Sequence, residues 1–145
     1  MQLTRHTDYS LRVLMFLSLQ DSHSLVTIDY VARHFEIPKN HLTKVVHQLA
    51  KQGYVKTVRG KKGGICLAQP ADKMNLGDII QSMESNIEVV NCQKPVCPLI
   101  SQCELKGVLN EAQHAFFSTL EKYSLADITQ QPKKIKNLLR MDDIF

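Results

Sequence analysis

Three of the four cysteines, Cys92, Cys97 and Cys103, fall within the run VNCQKPVCPLISQCE and spell C-x4-C-x5-C. Thiolates are soft ligands, suited to zinc and to iron–sulfur clusters. Zinc sites more often pair cysteines about two to four residues apart, with a second pair elsewhere. The wider, uneven spacing here, on a segment that also carries Pro95 and Pro98, is compatible with wrapping a larger inorganic core. Three thiolates leave at least one position for a weaker ligand, for solvent or for another subunit. A centre completed in that way is open to small diatomic or oxidising molecules. Cys66 stands far along the chain from the trio and reads as a structural residue rather than a ligand. With no sign of secretion, four cysteines do not suggest a disulfide framework.

Charge shows what such a centre would serve. Residues 1–70 carry 10 Lys+Arg against 4 Asp+Glu, and residues 71–145 carry 8 against 10, within an overall formal charge of +4. A basic first half joined to a slightly acidic second half suggests that the first half meets a polyanion. The 43% hydrophobic content is enough for a real core. No apolar run approaches the roughly 20 residues needed to cross a bilayer, and MQLTRHTDYS lacks the apolar stretch of a secretory signal. The expectation is a cytoplasmic protein with no membrane association.

The elements that must position these residues follow from hydrophobic periodicity. Helices are predicted over residues 8–20, over 27–35 with Thr27 as N-cap, and over 38–52, ended by Gly53. The third has an apolar stripe of Leu42, Val45, Val46 and Leu49. Its opposite face shows Lys39, Asn40, His41, Thr43, Lys44, His47, Gln48 and Lys51, with no carboxylate. Two short β-like runs, 54–58 and 65–67, flank RGKKGG, a flexible basic hairpin tip bearing Arg59, Lys61 and Lys62.

Three helices followed by a basic hairpin is the order of a winged helix-turn-helix. Its third helix would read base edges through Asn40, His41, Thr43 and Lys44, with His47 on the same face. Lys39, Lys51, Arg59, Lys61 and Lys62 suit phosphates or the minor groove. A short helix over 75–85 follows, with Asn75 and Asp78 in a capping-box-like arrangement, and then the cysteine segment without helical order. A long helix over 104–123 presents Leu105, Val108, Leu109, Ala112, Phe116, Leu120 and Tyr123, a stripe long enough to pair with a second copy. Ser124 and Asp127 mark a further cap, and the tail from Pro132 reads as loosely held. The expected fold class is mainly α with a small β-hairpin. It divides into a winged helix-turn-helix domain over 1–70, a connecting helix and cluster-binding loop over 71–103, and a dimerisation helix with tail over 104–145.

The opening MQLTRHTDYSLRVL, the stretch IPKNHLTKVVHQLAKQGYVKTVRGKKGG, and C-x4-C-x5-C before a long helix resemble, in that order, the NsrR repressors of the IscR/NsrR superfamily of winged-helix regulators. The resemblance covers nearly the whole chain. It implies a homodimeric repressor that binds inverted-repeat operator DNA and senses nitric oxide through an iron–sulfur cluster held by Cys92, Cys97 and Cys103. It also places Asp8 where a carboxylate of the partner subunit serves as a further ligand, although an Asp there could equally cap the first helix. The iron–sulfur biogenesis branch has a His three residues beyond the third cysteine. Lys106 stands there instead, which points to the nitric-oxide branch. A four-iron (4Fe-4S) cluster is favoured, and a two-iron (2Fe-2S) cluster also fits three thiolates plus another ligand.

Two alternatives stay open at this level. One is a DNA-binding regulator that responds through zinc or thiol redox chemistry and carries no cluster. The other is an iron–sulfur carrier or electron-transfer protein, which would not need the basic helix face or wing. An enzyme is the weakest reading, because the sequence has no phosphate-binding glycine loop, paired-carboxylate motif or nucleophile arrangement.

Overall fold

Thr4 starts the first helix, its hydroxyl oxygen accepting from the amide of Thr7 at 3.3 Å. That bond satisfies one of the donors a helix leaves open at its N-terminus. Helix α1 (Arg5–Ser18) therefore begins before the expected residue 8, and Asp8 lies in its first turn rather than at its cap. Helix α2 (Ile28–His34) is capped as its sequence predicts, Thr27 accepting from the Tyr30 amide at 3.1 Å. Helix α3 (Lys39–Lys51) follows Pro38 and stops before Gly53, whose φ of +83° is a left-handed turn that glycine makes without Cβ strain.

Strands β1 (Val55–Val58) and β2 (Gly64–Leu67) pair antiparallel, with Val55 opposite Leu67 and Val58 opposite Gly64. Val26 adds a third, one-residue rung. Its amide donates to the Ile65 carbonyl at 3.1 Å, and the Ile65 amide donates back at 2.8 Å. The hairpin is thereby fastened to the segment that leads into α2.

A 3-10 turn (Ala71–Lys73) leads to α4 (Leu76–Met83), whose cap Asn75 accepts from the amides of Gly77 and Asp78 at 2.9 and 3.3 Å. This helix ends short of the expected residue 85, where Glu84 turns extended. Residues 85–103 contain turns, bends and the single bridge Gln93–Val96, in keeping with the predicted absence of helix. Helix α5 (Glu104–Leu120) follows. The amide and hydroxyl of Ser124 then donate to the Asp127 carboxylate at 2.7 and 2.8 Å, ahead of a 3-10 turn (Asp127–Thr129). Those two bonds hold the Asp127 carboxyl below its ordinary range.

The expected loose tail is corrected: Pro132 opens a further helix, α6 (Pro132–Leu138). Leu139 and Met141 beyond it pack against the core. Its apolar residues span too few turns to stand out as a period in the sequence.

The computed structural model describes residues 2–141, and one hydrophobic core organises them. Val13, Leu14 and Phe16 of α1 meet Val31 of α2 and the predicted stripe of α3, Leu42, Val45, Val46 and Leu49, all buried. Val55 and Ile65 bring in the hairpin. The core continues past residue 70, through Met74, Ile79, Met83 and Leu125. Helix α4 is thus part of the same packed unit as the winged helix. No helix among the described residues is long and apolar enough to cross a membrane.

Leu49 is fully buried at the centre of the α3 stripe. Replacing it with Ala should cost about 2–5 kcal/mol of stability, because the cavity adds to the lost transfer free energy. Urea unfolding followed by circular dichroism checks this.

Candidate functional site

Burying Leu42, Val45, Val46 and Leu49 fixes the rotation of α3, since residues on the opposite side of a helix have nowhere to go but solvent. Lys39, Asn40, His41, Thr43, Lys44, His47 and Lys51 are all exposed, as predicted, while Gln48 is half-buried at the edge. Two polar side chains are already partly engaged. Asn40 accepts from the His41 amide at 3.0 Å, and the Thr43 hydroxyl donates to the Lys39 carbonyl at 2.9 Å. The Asn40 side-chain amide and the Thr43 methyl remain to face outward.

The wing extends the same chemistry. Arg59, Lys61 and Lys62 are exposed at its tip, where Gly60 has φ +111° and the Gly63 amide donates to the Gly60 carbonyl at 3.0 Å. A Cβ on Gly63 would stand 2.1 Å from the Val58 carbonyl oxygen, so no side chain fits that turn. Among the described residues the ion pairs are Arg12–Asp8 and Arg33–Asp29. The cations of α3 and of the wing are therefore not neutralised by any described carboxylate. A convex helix face with free cations, beside a basic hairpin, can enter the major groove of duplex DNA while the hairpin tracks the adjoining backbone.

The second cluster of chemistry lies on residues 85–103. Cys92, Cys97 and Cys103 are free and half-buried. The Cys97 amide donates to the Cys92 carbonyl at 2.9 Å, closing a turn between two of the thiols. Cys103 is the N-cap of α5 and makes no side-chain capping bond. The donor set fits a soft metal centre by its chemistry. The fold does not yet gather it: among the described residues no group of three or more His, Cys, Asp or Glu stands close enough to hold a metal ion.

Asp8 joins no such group either. Its carboxylate pairs instead with Arg12, at 2.8 Å from Nη2 and 3.2 Å from Nε. The alternative role of helix cap is excluded, because Thr4 fills it. Cys66 is half-buried on β2 opposite Lys56, away from the thiol loop, and lines a cleft of about 680 Å³ with His23 and Asp21.

Helix α5 contains no buried residue. Leu105 and Val108 are 64% and 60% exposed, and Phe116 is 36% exposed. Leu109 and Leu120 are half-buried, but a helix of 17 residues that fully buries none of its apolar stripe leaves that face open to a partner.

Two residues escaped the sequence reading. Glu84 accepts from both the amide and the hydroxyl of Thr4, at 2.6 and 2.8 Å. Thr4 had a legible capping signal, but nothing in sequence links positions 80 residues apart.

Residues 3–131 match the family described as Rrf2, iron-dependent transcriptional regulator. The HTH-type transcriptional regulator NsrR of Shouchella clausii is 42% identical over 97% of this chain and 96% of its own length. NsrR of Bacillus licheniformis is 44% identical over 96% of this chain and 99% of its own. NsrR of Bacillus subtilis is 40% identical over 99% and 100%. Among solved structures, CymR, the global cysteine regulator of B. subtilis, superposes with a TM-score of 0.72 at 22% identity, over 90% of this chain and 97% of its own. T. potens IscR gives 0.74 at 20% identity, over 94% and 91%. At such identities these two speak for the fold alone, and they agree with a winged helix-turn-helix that carries a long helix behind it.

Arg59→Ala should weaken binding to duplex DNA and flatten its salt dependence, since each lost phosphate contact lowers the slope by about 0.9. Fluorescence anisotropy across a salt series measures the slope. An unchanged slope would mean that Arg59 does not touch phosphate.

Proposed function

The chain belongs to the Rrf2 family of transcriptional regulators, and from that premise we propose a homodimeric repressor of the NsrR type, which binds inverted-repeat operator DNA under the control of an iron–sulfur cluster that responds to nitric oxide. The observation that carries this reading is the trio of free, half-buried thiols on residues 85–103, set between the DNA-binding unit and the unpartnered helix α5. A carrier or electron-transfer protein has no use for the carboxylate-free face of α3 or for the wing.

Cys92, Cys97 and Cys103 would hold the cluster, four-iron rather than two-iron, and Asp8 of one subunit would complete the site of the other. When bound, such a cluster supplies iron and sulfide that nitric oxide attacks. The chain's own part is mechanical. Ligation at both ends of the Cys92–Cys97 turn fixes that turn, and ligation at Cys103 ties it to the first residue of α5. Asp8 must give up its bidentate pairing with Arg12 to serve the neighbouring subunit. Lys106 stands where the iron–sulfur biogenesis branch has a His, which favours the nitric-oxide branch.

Dimerisation through α5 follows from its exposed stripe. Two copies related by a two-fold axis would cover Leu105, Val108 and Phe116 and set the distance between two α3 helices. Half-sites about one helical turn of DNA apart, roughly 34–36 Å, then require that distance to be held. On α3, Asn40, His41, Thr43, Lys44 and His47 would meet base edges. Lys39 and Lys51, with Arg59, Lys61 and Lys62 of the wing, would meet the backbone.

Anaerobically purified protein should be brown, with Mössbauer signals of an iron–sulfur cluster. Its operator affinity should fall about 5–150-fold on titration with nitric oxide, the span of a typical allosteric coupling. Equal affinities before and after would sink the switch, and a colourless protein containing zinc would favour the cluster-free regulator. Separately, Val108→Glu should shift sedimentation from dimer toward monomer, because it places a charge in the centre of the apolar stripe.

A further inference from the structure

The two bonds from Thr4 to Glu84 join positions that the proposed switch has to connect. Thr4 is the N-cap of α1, and Glu84 is the residue at which α4 ends and the thiol-bearing segment begins. Both carboxylate oxygens are used, Oε1 by the Thr4 amide at 2.6 Å and Oε2 by the Thr4 hydroxyl at 2.8 Å. A carboxylate at the positive end of a helix, accepting two hydrogen bonds, is among the stronger surface contacts a protein makes. Glu84 is itself held from behind, its amide donating to the Ile80 carbonyl at 2.9 Å.

We propose that Glu84 is the positioning residue that couples the thiol loop to the DNA-binding half, by clasping the first turn of α1. This rests on the reading of the chain as a cluster-controlled DNA-binding protein. The clasp can transmit because α1 is stiff beyond it. The Asp8 amide donates to the Thr4 carbonyl at 3.0 Å, so the start of the helix fixes where Asp8 stands. Farther along, Val13, Leu14 and Phe16 are fully buried in the core that also anchors α3.

On the loop side, residues 85–91 are all exposed and form no helix or strand. Their path is set by what they are tied to at each end and by Gln113 of α5, whose side-chain amide donates to the Ile87 carbonyl. A change of conformation in that segment pulls on Glu84, loosens two bonds at once, and frees the turn that carries Asp8. By reciprocity, a firmly seated α1 favours the loop conformation that keeps Glu84 in reach. The plainer role, a remote helix cap that only adds stability, predicts no link to the state of the thiols.

The test uses the full chain with Glu84→Gln, Thr4→Val and Thr4→Ser. In cluster-free protein, amide hydrogen exchange at residues 5–8 and 85–91 should be faster in Glu84→Gln and Thr4→Val than in wild type, and unchanged in Thr4→Ser. Wild-type exchange in the first two variants overturns the clasp. So does equally fast exchange in Thr4→Ser, which keeps both donors and would then report general loosening.

The second readout is the ratio of operator affinities with and without cluster. It should drop to within about twofold of one in Glu84→Gln and Thr4→Val, while Thr4→Ser keeps the wild-type ratio. A large wild-type ratio that both variants retain overturns the coupling. A wild-type ratio of one shows that the parent reading has failed, and wild-type protein alone reveals it.

Discussion

Helix α4 is fastened at both ends, and the rest of the molecule hangs on those fastenings. At its start, the Asn75 side chain donates to the Glu121 carbonyl at 2.7 Å, and the Leu76 amide donates to the Tyr123 carbonyl at 3.0 Å. The Leu125 amide returns a bond to Met74 at 2.8 Å. Gly77 lies so close to the end of α5 that a Cβ there would stand 2.6 Å from the Glu121 side chain. At its far end Glu84 takes hold of α1. In between, Ile79 and Met83 are buried in the common core. Without these bonds α5 would trail from the winged helix on an unstructured segment. With them, the C-terminal end of α5 and the start of the first helix have a fixed relation.

That constraint explains why the chemistry can be separated from the reading surface. The thiols sit where backbone is irregular and exposed, a kind of segment that could rearrange around a centre as large as the proposed cluster. The proposed reading surface sits on α3, whose rotation is locked by four buried side chains. Arg12 links the first turn of α1 to the end of α2. It holds Asp8 through two nitrogens, and its guanidinium carbon lies 5.8 Å from the centre of the Tyr9 ring and 5.9 Å from that of Phe35, which follows α2. Phe35 meets the fully buried Phe16 edge-on, at 6.1 Å between centroids. Any rearrangement at Asp8 is therefore felt by the aromatic packing between α1 and α2.

Much of the fold was legible because short-range physics dictated it. The Thr27 cap, the α3 stripe, the stop at Gly53 and the glycine-bearing basic wing are each decided within a few residues. Where the structure departs from the sequence pattern, or adds to it, the reasons are physical as well. Helix α1 starts earlier because Thr4 fills the cap, and Asp8, one turn on, pairs with Arg12 instead. Helix α6 leaves little mark on the sequence because seven residues show too little period. A boundary at residue 70 follows the change in composition, whereas the core follows Met74, Ile79 and Leu125 across it.

The sequence by itself determined which residues are candidates for the chemistry: three unevenly spaced thiols on a proline-bearing run, a carboxylate-free helix face, and a basic glycine hairpin. Residue type and spacing decide those, because ligand softness, charge and helical period are local properties. Only the tertiary structure decided that the thiols stand free on one loop without yet forming a chelate. It alone showed that α5 presents its stripe to solvent, and that Glu84 reaches back to Thr4. Such contacts depend on where distant segments come to rest, and the burial of a shared core, not any local preference, sets that arrangement.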